Sequence, residues 1–196
     1  MLTAARTYLR AHAAAVALFL ALVGVVVLAN WLVATRQPIS VGFGLLAPAG
    51  VLVAGFAFTV RDLLDEAGGY RWVLAAIGTG ALVSLASGLV FGERLPYPGA
   101  PSVAQVAVAG AVAYVASEAL DWLVYRGLRG RGVLAAVLIS GAFGLALDSL
   151  VFLWLAFGSL AFLPGQVVGK AYALAASVVI LTAVGVWQRR AQAAAW

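Results

Sequence analysis

Six stretches of about 20 consecutive apolar residues dominate the chain, and each is long enough to cross the hydrocarbon core of a bilayer as a helix. They are Ala13–Thr35, Val41–Val60, Trp72–Phe91, Val103–Tyr125, Val133–Phe157 and Gly165–Trp187. Hydrophobic residues make up 65% of the 196 and charged residues 10%. A soluble domain of this size needs more polar surface than that. The connections are short, so the expectation is a single transmembrane domain over residues 1–196. Its fold class is all-α, a polytopic membrane bundle of six transmembrane helices. The first stretch is too long for a cleaved signal peptide and its N-W-L-V-A-T exit lacks a cleavage site, so it reads as a retained span.

The arginines orient the bundle. With the N-terminus inside, inner segments carry Arg6, Arg10, Arg61, Arg71, Arg126, Arg129, Arg131, Arg189 and Arg190, whereas outer loops carry only Arg36 and Arg94. That asymmetry follows the positive-inside bias and predicts cytoplasmic N- and C-termini in a multi-pass protein of the plasma membrane. Trp31, Trp72, Tyr97, Tyr125 and Trp187 fall near the interfaces, where amphipathic rings anchor. The Pro- and Gly-rich segment 92–102 reads as a structured turn.

Several chemistries are excluded or unsupported. With no cysteine and one histidine, His12, no thiolate or multi-histidine metal site is available. No nucleophile–base pair or cofactor loop is visible, so neither an enzyme nor a cofactor is expected. The basic balance is explained by topology and calls for no nucleic acid.

Polar residues inside the spans carry the functional signal, because a charge there costs about 2.5–3.5 kcal/mol on insertion scales and usually faces a cavity or a partner. Tyr114, Glu118, Asp121 and Tyr125 form one stripe of the fourth span. Ser140, Gly144, Asp148 and Phe152 do so on the fifth, and Gln166, Lys170 and Ser177 on the sixth. Counting from the span ends predicts that Asp148 and Lys170 meet in the outer half. Glu118 and Asp121 then lie in the inner half near Arg61 and Asp62. Two readings stay open. The groups line a shared cavity, or they form buried pairs that only fix packing: Asp148 with Lys170, Glu118 with Arg61, Asp121 with Arg126. Asp62, Asp65 and Glu66 read equally as a solvated helix end. Pro48, among several glycines, marks a break in the second span.

At these residues the chain resembles the vitamin uptake transporter family, whose best-known members import queuosine precursors. The resemblance runs from about Pro48 to Lys170. It is carried by F-A-F-T-V-R-D-L-L-D-E (Phe56–Glu66), S-E-A-L-D-W-L-V-Y (Ser117–Tyr125), S-G-A-F-G-L-A-L-D-S-L-V-F-L-W-L-A-F (Ser140–Phe157) and Lys170. Arg61 stands where the family usually has Thr, and Glu118 where it usually has Gln. The resemblance implies a six-span carrier for a 7-deazaguanine-type solute (preQ0/preQ1-like), such as 7-cyano-7-deazaguanine. The expected substrate-binding residues are Asp148, Lys170, Glu118, Asp121, Ser149, Phe152 and Gln166, with Arg61 and Asp62 as gate or coupling residues. Phe143, Tyr172 and Trp122 are further stacking candidates. The expected partners are the small solute and the lipid bilayer, and a homo-oligomer stays open. A substrate-capture subunit of an ATP-driven importer and a carrier of another nucleobase- or vitamin-like compound are the alternatives.

Overall fold

A computed structural model describes residues 2–91 and 95–193, with side chains described for residues 12–91, 95–180 and 182. The side chains of Arg6, Arg10, Arg94, Trp187, Arg189 and Arg190 lie outside the described residues. The element order is α1 (Leu2–Thr35), β1 (Ile39–Ser40), β2 (Leu46–Ala47), α2 (Val51–Gly68), α3 (Tyr70–Val90), α4 (Val103–Leu128), α5 (Val133–Phe157) and α6 (Leu163–Ala193). A short 3-10 turn, Arg129–Arg131, joins α4 to α5.

The second apolar stretch departs from expectation. Residues 41–50 are not helical. A two-stranded antiparallel hairpin pairs Ile39 with Ala47 and Ser40 with Leu46. Its tip holds Gly42, Phe43 and Gly44 at φ of 94°, 55° and 70°, a left-handed run that no α-helix tolerates. Pro48 has no N–H to donate to a helix and its ring excludes a preceding turn. The helix therefore starts only at Val51, whose N–H donates to the Pro48 carbonyl at 3.0 Å. It then runs past Val60 to Gly68. Arg61, Asp62, Asp65 and Glu66 thus lie within its second half and not beyond its end.

The other boundaries follow local signals. Ser102 caps α4, its hydroxyl accepting from the Gln105 N–H at 3.1 Å. Gly158 closes α5 in the left-handed conformation and donates to the Trp154 carbonyl at 3.0 Å. Pro164 occupies the first turn of α6, where a missing N–H costs nothing. The described part of the α3–α4 connection, residues 95–102, is packed: Leu95 and Ala100 are buried against Ala34, Phe91 and Tyr97. Gln105 binds α4 to the far end of α5 by donating to the carbonyls of Leu155 (3.2 Å) and Ala156 (3.1 Å).

The bundle is inverted relative to a soluble protein. Leu89 is 91% exposed and Trp154 64%, while Arg61, Glu118 and Asp121 are 0% exposed. Apolar groups outside and charges inside are what a lipid solvent selects. Among the described residues, five helices are long and apolar enough to cross a membrane, α1 and α3–α6. The fifth span matches its predicted bounds, Val133–Phe157. The more charged α2, 18 residues and about 27 Å long, is packed between α1, α3 and α6.

Small residues let α6 approach its neighbours. A Cβ on Gly55 of α2 would sit 2.5 Å from the Ala173 Cβ, and a Cβ on Gly165 would overlap the Leu46 carbonyl oxygen of the hairpin. Gly165→Ala is therefore expected to push the hairpin off α6 and to destabilise the fold by about 1–3 kcal/mol, the usual range for an overpacked contact. A thermal unfolding midpoint equal to that of the unaltered protein would contradict this.

Candidate functional site

Two groups of buried charge occupy the bundle. The first is built by α5 and α6. The Lys170 ammonium pairs with the Asp148 carboxylate and donates to the Ser149 hydroxyl at 3.0 Å. That hydroxyl in turn donates to Gln166 Oε1 at 3.4 Å. Gln166 precedes Lys170 by one helical turn, so both project from one face of α6, and the long Lys170 side chain reaches the adjacent Asp148 and Ser149 of α5. The Ser117 hydroxyl of α4 donates to the other Asp148 oxygen at 3.5 Å.

The second group is centred on Arg61 of α2. Its Nε donates to Glu118 Oε2 at 2.9 Å, its Nη2 pairs with Asp121 Oδ2, and its Nη1 lies 2.5 Å from Asp62 Oδ1. One guanidinium fork thus serves three carboxylates. Residues 118 and 121 are three apart on α4, which presents both acids to the same side of α2. Asp121 therefore does not pair with Arg126. The guanidinium of Arg126 sits over the Trp122 ring and 4.0 Å from Asp65. Asp65 and Glu66 join the end of α4 instead: Arg129 lies 3.5 Å from Asp65 and 3.3 Å from Glu66, and the Tyr125 hydroxyl donates to Glu66 at 2.9 Å.

Between these groups lies a cavity of about 100 Å³ with walls from all six helices. Glu118, Asp148, Gln166, Lys170 and Phe152 line it, as does Tyr114. Glu118 belongs to both the cavity wall and the Arg61 group. Ser149 reaches it through Lys170 and Gln166, whereas Asp121 and Asp62 sit behind Glu118. Of the aromatic candidates, Phe152 faces the cavity, but Phe143 and Tyr172 are about half exposed on the outside of the bundle. Trp122 is engaged by Arg126.

Besides apolar and small wall residues, sequence reasoning missed Asn30, Ser84 and Phe58 as wall residues. Asn30 is the one asparagine of the chain. Its amide donates to the Val26 carbonyl at 2.9 Å and accepts from Ser84 at 3.3 Å. An amide deep inside an apolar span was the available signal. Phe58 lies in the F-A-F-T segment that carries the resemblance, but an aromatic in an apolar helix did not by itself mark it as a wall residue.

Residues 48–187 match the family described as putative vitamin uptake transporter. The chain belongs to that family. No curated protein and no solved structure matches the chain. The matched region begins at Pro48, where the turn into α2 meets the cavity, and takes in every member of both charged groups. Asn30 lies before it. A vitamin uptake transporter with five described helices able to cross a bilayer is a multi-pass protein of the cell membrane.

Proposed function

We propose that the chain imports a small, flat, nitrogen-rich solute of the 7-deazaguanine class by alternating access, with both termini cytoplasmic. The observation that carries this reading is the Asp148–Lys170 pair held by Ser149 and Gln166 against a cavity that also holds Glu118 and two phenylalanines. A guanine-like edge presents adjacent N–H donors beside a carbonyl. A carboxylate accepts two such N–H bonds at once, and an ammonium or amide serves the carbonyl. Phe58 and Phe152 supply ring faces, and stacking on a base is worth about 1–3 kcal/mol. The cavity is smaller than the roughly 300–1,000 Å³ that encloses drug-sized ligands. In this reading the form described here is closed, and helices part on either side in turn to admit and release the solute. The partners are the solute and the bilayer, without cofactor or nucleic acid.

Purified protein in liposomes tests the reading. Labelled 7-cyano-7-deazaguanine is expected to enter protein-containing vesicles and not empty ones, and the compound is expected to raise the thermal unfolding midpoint. Binding without uptake would favour the alternative, a capture subunit that needs a separate ATP-driven module. Absence of both binding and uptake would overturn this solute class.

A further inference from the structure

The Arg61 group does not balance its own charge. Asp62, Glu118 and Asp121 surround a single guanidinium, and all four residues are at most 2% exposed. The Lys170–Asp148 pair beside them is already neutral. Three acceptor oxygens in the group are buried without a donor, Oδ2 of Asp62, Oε1 of Glu118 and Oδ1 of Asp121, while Oδ1 of Asp62 has only its ion-pair contact with Arg61. Independently, the Tyr114 hydroxyl is buried without a partner on the same cavity wall as Glu118, one turn before it on α4. A buried surplus carboxylate neutralises by taking up a proton, because an uncompensated charge in a low-dielectric interior is far more costly.

We propose that Asp62, Glu118 and Asp121 together form a proton-binding site, and that Glu118 is the member through which the proton exchanges with the cavity. The proposal rests on the transport reading for its consequence, that solute entry is proton-linked. Glu118 is the only one of the three on the cavity wall among the described residues. Its surroundings set its preference for a proton. Arg61 contacts it from α2 and holds Asp62 on the same guanidinium, Tyr114 and Asp121 flank it on its own helix, and Asp148 from α5 and Lys170 from α6 share its cavity wall, while Asp65 and Glu66 lie further along α2 against Arg129. The cavity residues from α1 and α3 are uncharged, Asn30 and Ser84 being the polar ones. The solute and the Glu118 proton then share one chamber. A proton taken from the outer side with the solute leaves on the inner side, and Glu118 returns to Arg61 as a carboxylate.

Two measurements test this, and the first needs no solute. Infrared spectroscopy of the protein in lipid is expected to show a protonated-carboxyl stretching band at neutral pH that fades in alkali. Glu118→Gln, which keeps an acceptor for Arg61, is expected to weaken the band. Absence of the band, or a band indifferent to Glu118→Gln, overturns the proton site. The second is uptake of labelled 7-cyano-7-deazaguanine into liposomes under an imposed pH gradient. For one proton per neutral solute, each unit of gradient raises the accumulation ratio about tenfold. With Glu118→Gln the ratio is expected to stay near one. Accumulation by the unaltered protein that ignores the gradient overturns the coupling. Uptake absent under every gradient overturns the transport reading, while the infrared result still decides the proton site.

Discussion

Arg61→Ala is expected to abolish most of the folded protein recoverable from membranes. The guanidinium is the cation of three buried carboxylates, contacting Glu118, Asp121 and Asp62 at once. Removing one partner of a buried pair typically costs about 3–5 kcal/mol, against a total stability of about 5–15 kcal/mol for an ordinary domain. Here one deletion strands three partners. Protonation of the acids limits the loss but does not restore the ties between α2 and α4. Arg61→Lys keeps the charge but replaces a planar fork, which meets the three acids through three different nitrogens, with a single compact ammonium that does not span them. An intermediate stability is expected for it. Combining Arg61→Ala with Glu118→Gln and Asp121→Asn should recover part of the loss, because neutral amides do not need the cation. The monodisperse fraction in mild detergent and the thermal midpoint are the readouts. An Arg61→Ala midpoint within a degree or two of the unaltered protein would refute the placement of Arg61 as the hub of this group.

Lys170→Met is expected to lower uptake by about 10- to 150-fold. The figure converts the roughly 1.5–3 kcal/mol of a hydrogen bond to a charged group. Lys170 pairs with Asp148, bonds Ser149 and lines the cavity. Its loss leaves Asp148 without its cation at the cavity wall, so part of the effect will be on folding. Lys170→Met with Asp148→Asn separates the two roles. The double variant carries no stranded charge and should regain stability. If the pair only fixed helix packing, uptake would return as well. If the pair holds the solute, the stable double variant remains inactive. Restored uptake in that double variant would remove both residues from the solute site.

Much of this was legible in the residues. The helical content and five of the spans follow from runs of about 20 apolar residues, and the structure moved their ends by a few residues, apart from the N-terminal end of α1 and the C-terminal end of α6, which run further. The stripe of Glu118, Asp121 and Tyr125 follows from three- and four-residue spacing and is buried as one face. The juxtaposition of Asp148 with Lys170 followed from counting depth along two antiparallel helices. Pro48 signalled a break, but its consequence, a hairpin lying on α6 and a helix displaced by ten residues, depended on the backbone conformation of Gly42, Phe43 and Gly44.

What the sequence by itself determined was therefore a membrane bundle, the faces within each helix, and its family. Only the tertiary structure decided which face meets which. It joined Asp121 and Asp62 to the expected Arg61–Glu118 pair, taking Asp121 away from Arg126, and gave Asp65 and Glu66 to Arg129. It turned Asn30 and Ser84 inward and Phe143 and Tyr172 outward. The physical reason is that periodicity fixes angles within a helix but not the rotation of one helix against another. In a soluble helix the apolar stripe supplies that rotation. Here Ala, Leu and Val cover both sides, so lipid and protein neighbours attract them almost equally. The rotation is then set by close contacts between small residues and by a few buried charges, and those exist only once the helices are assembled.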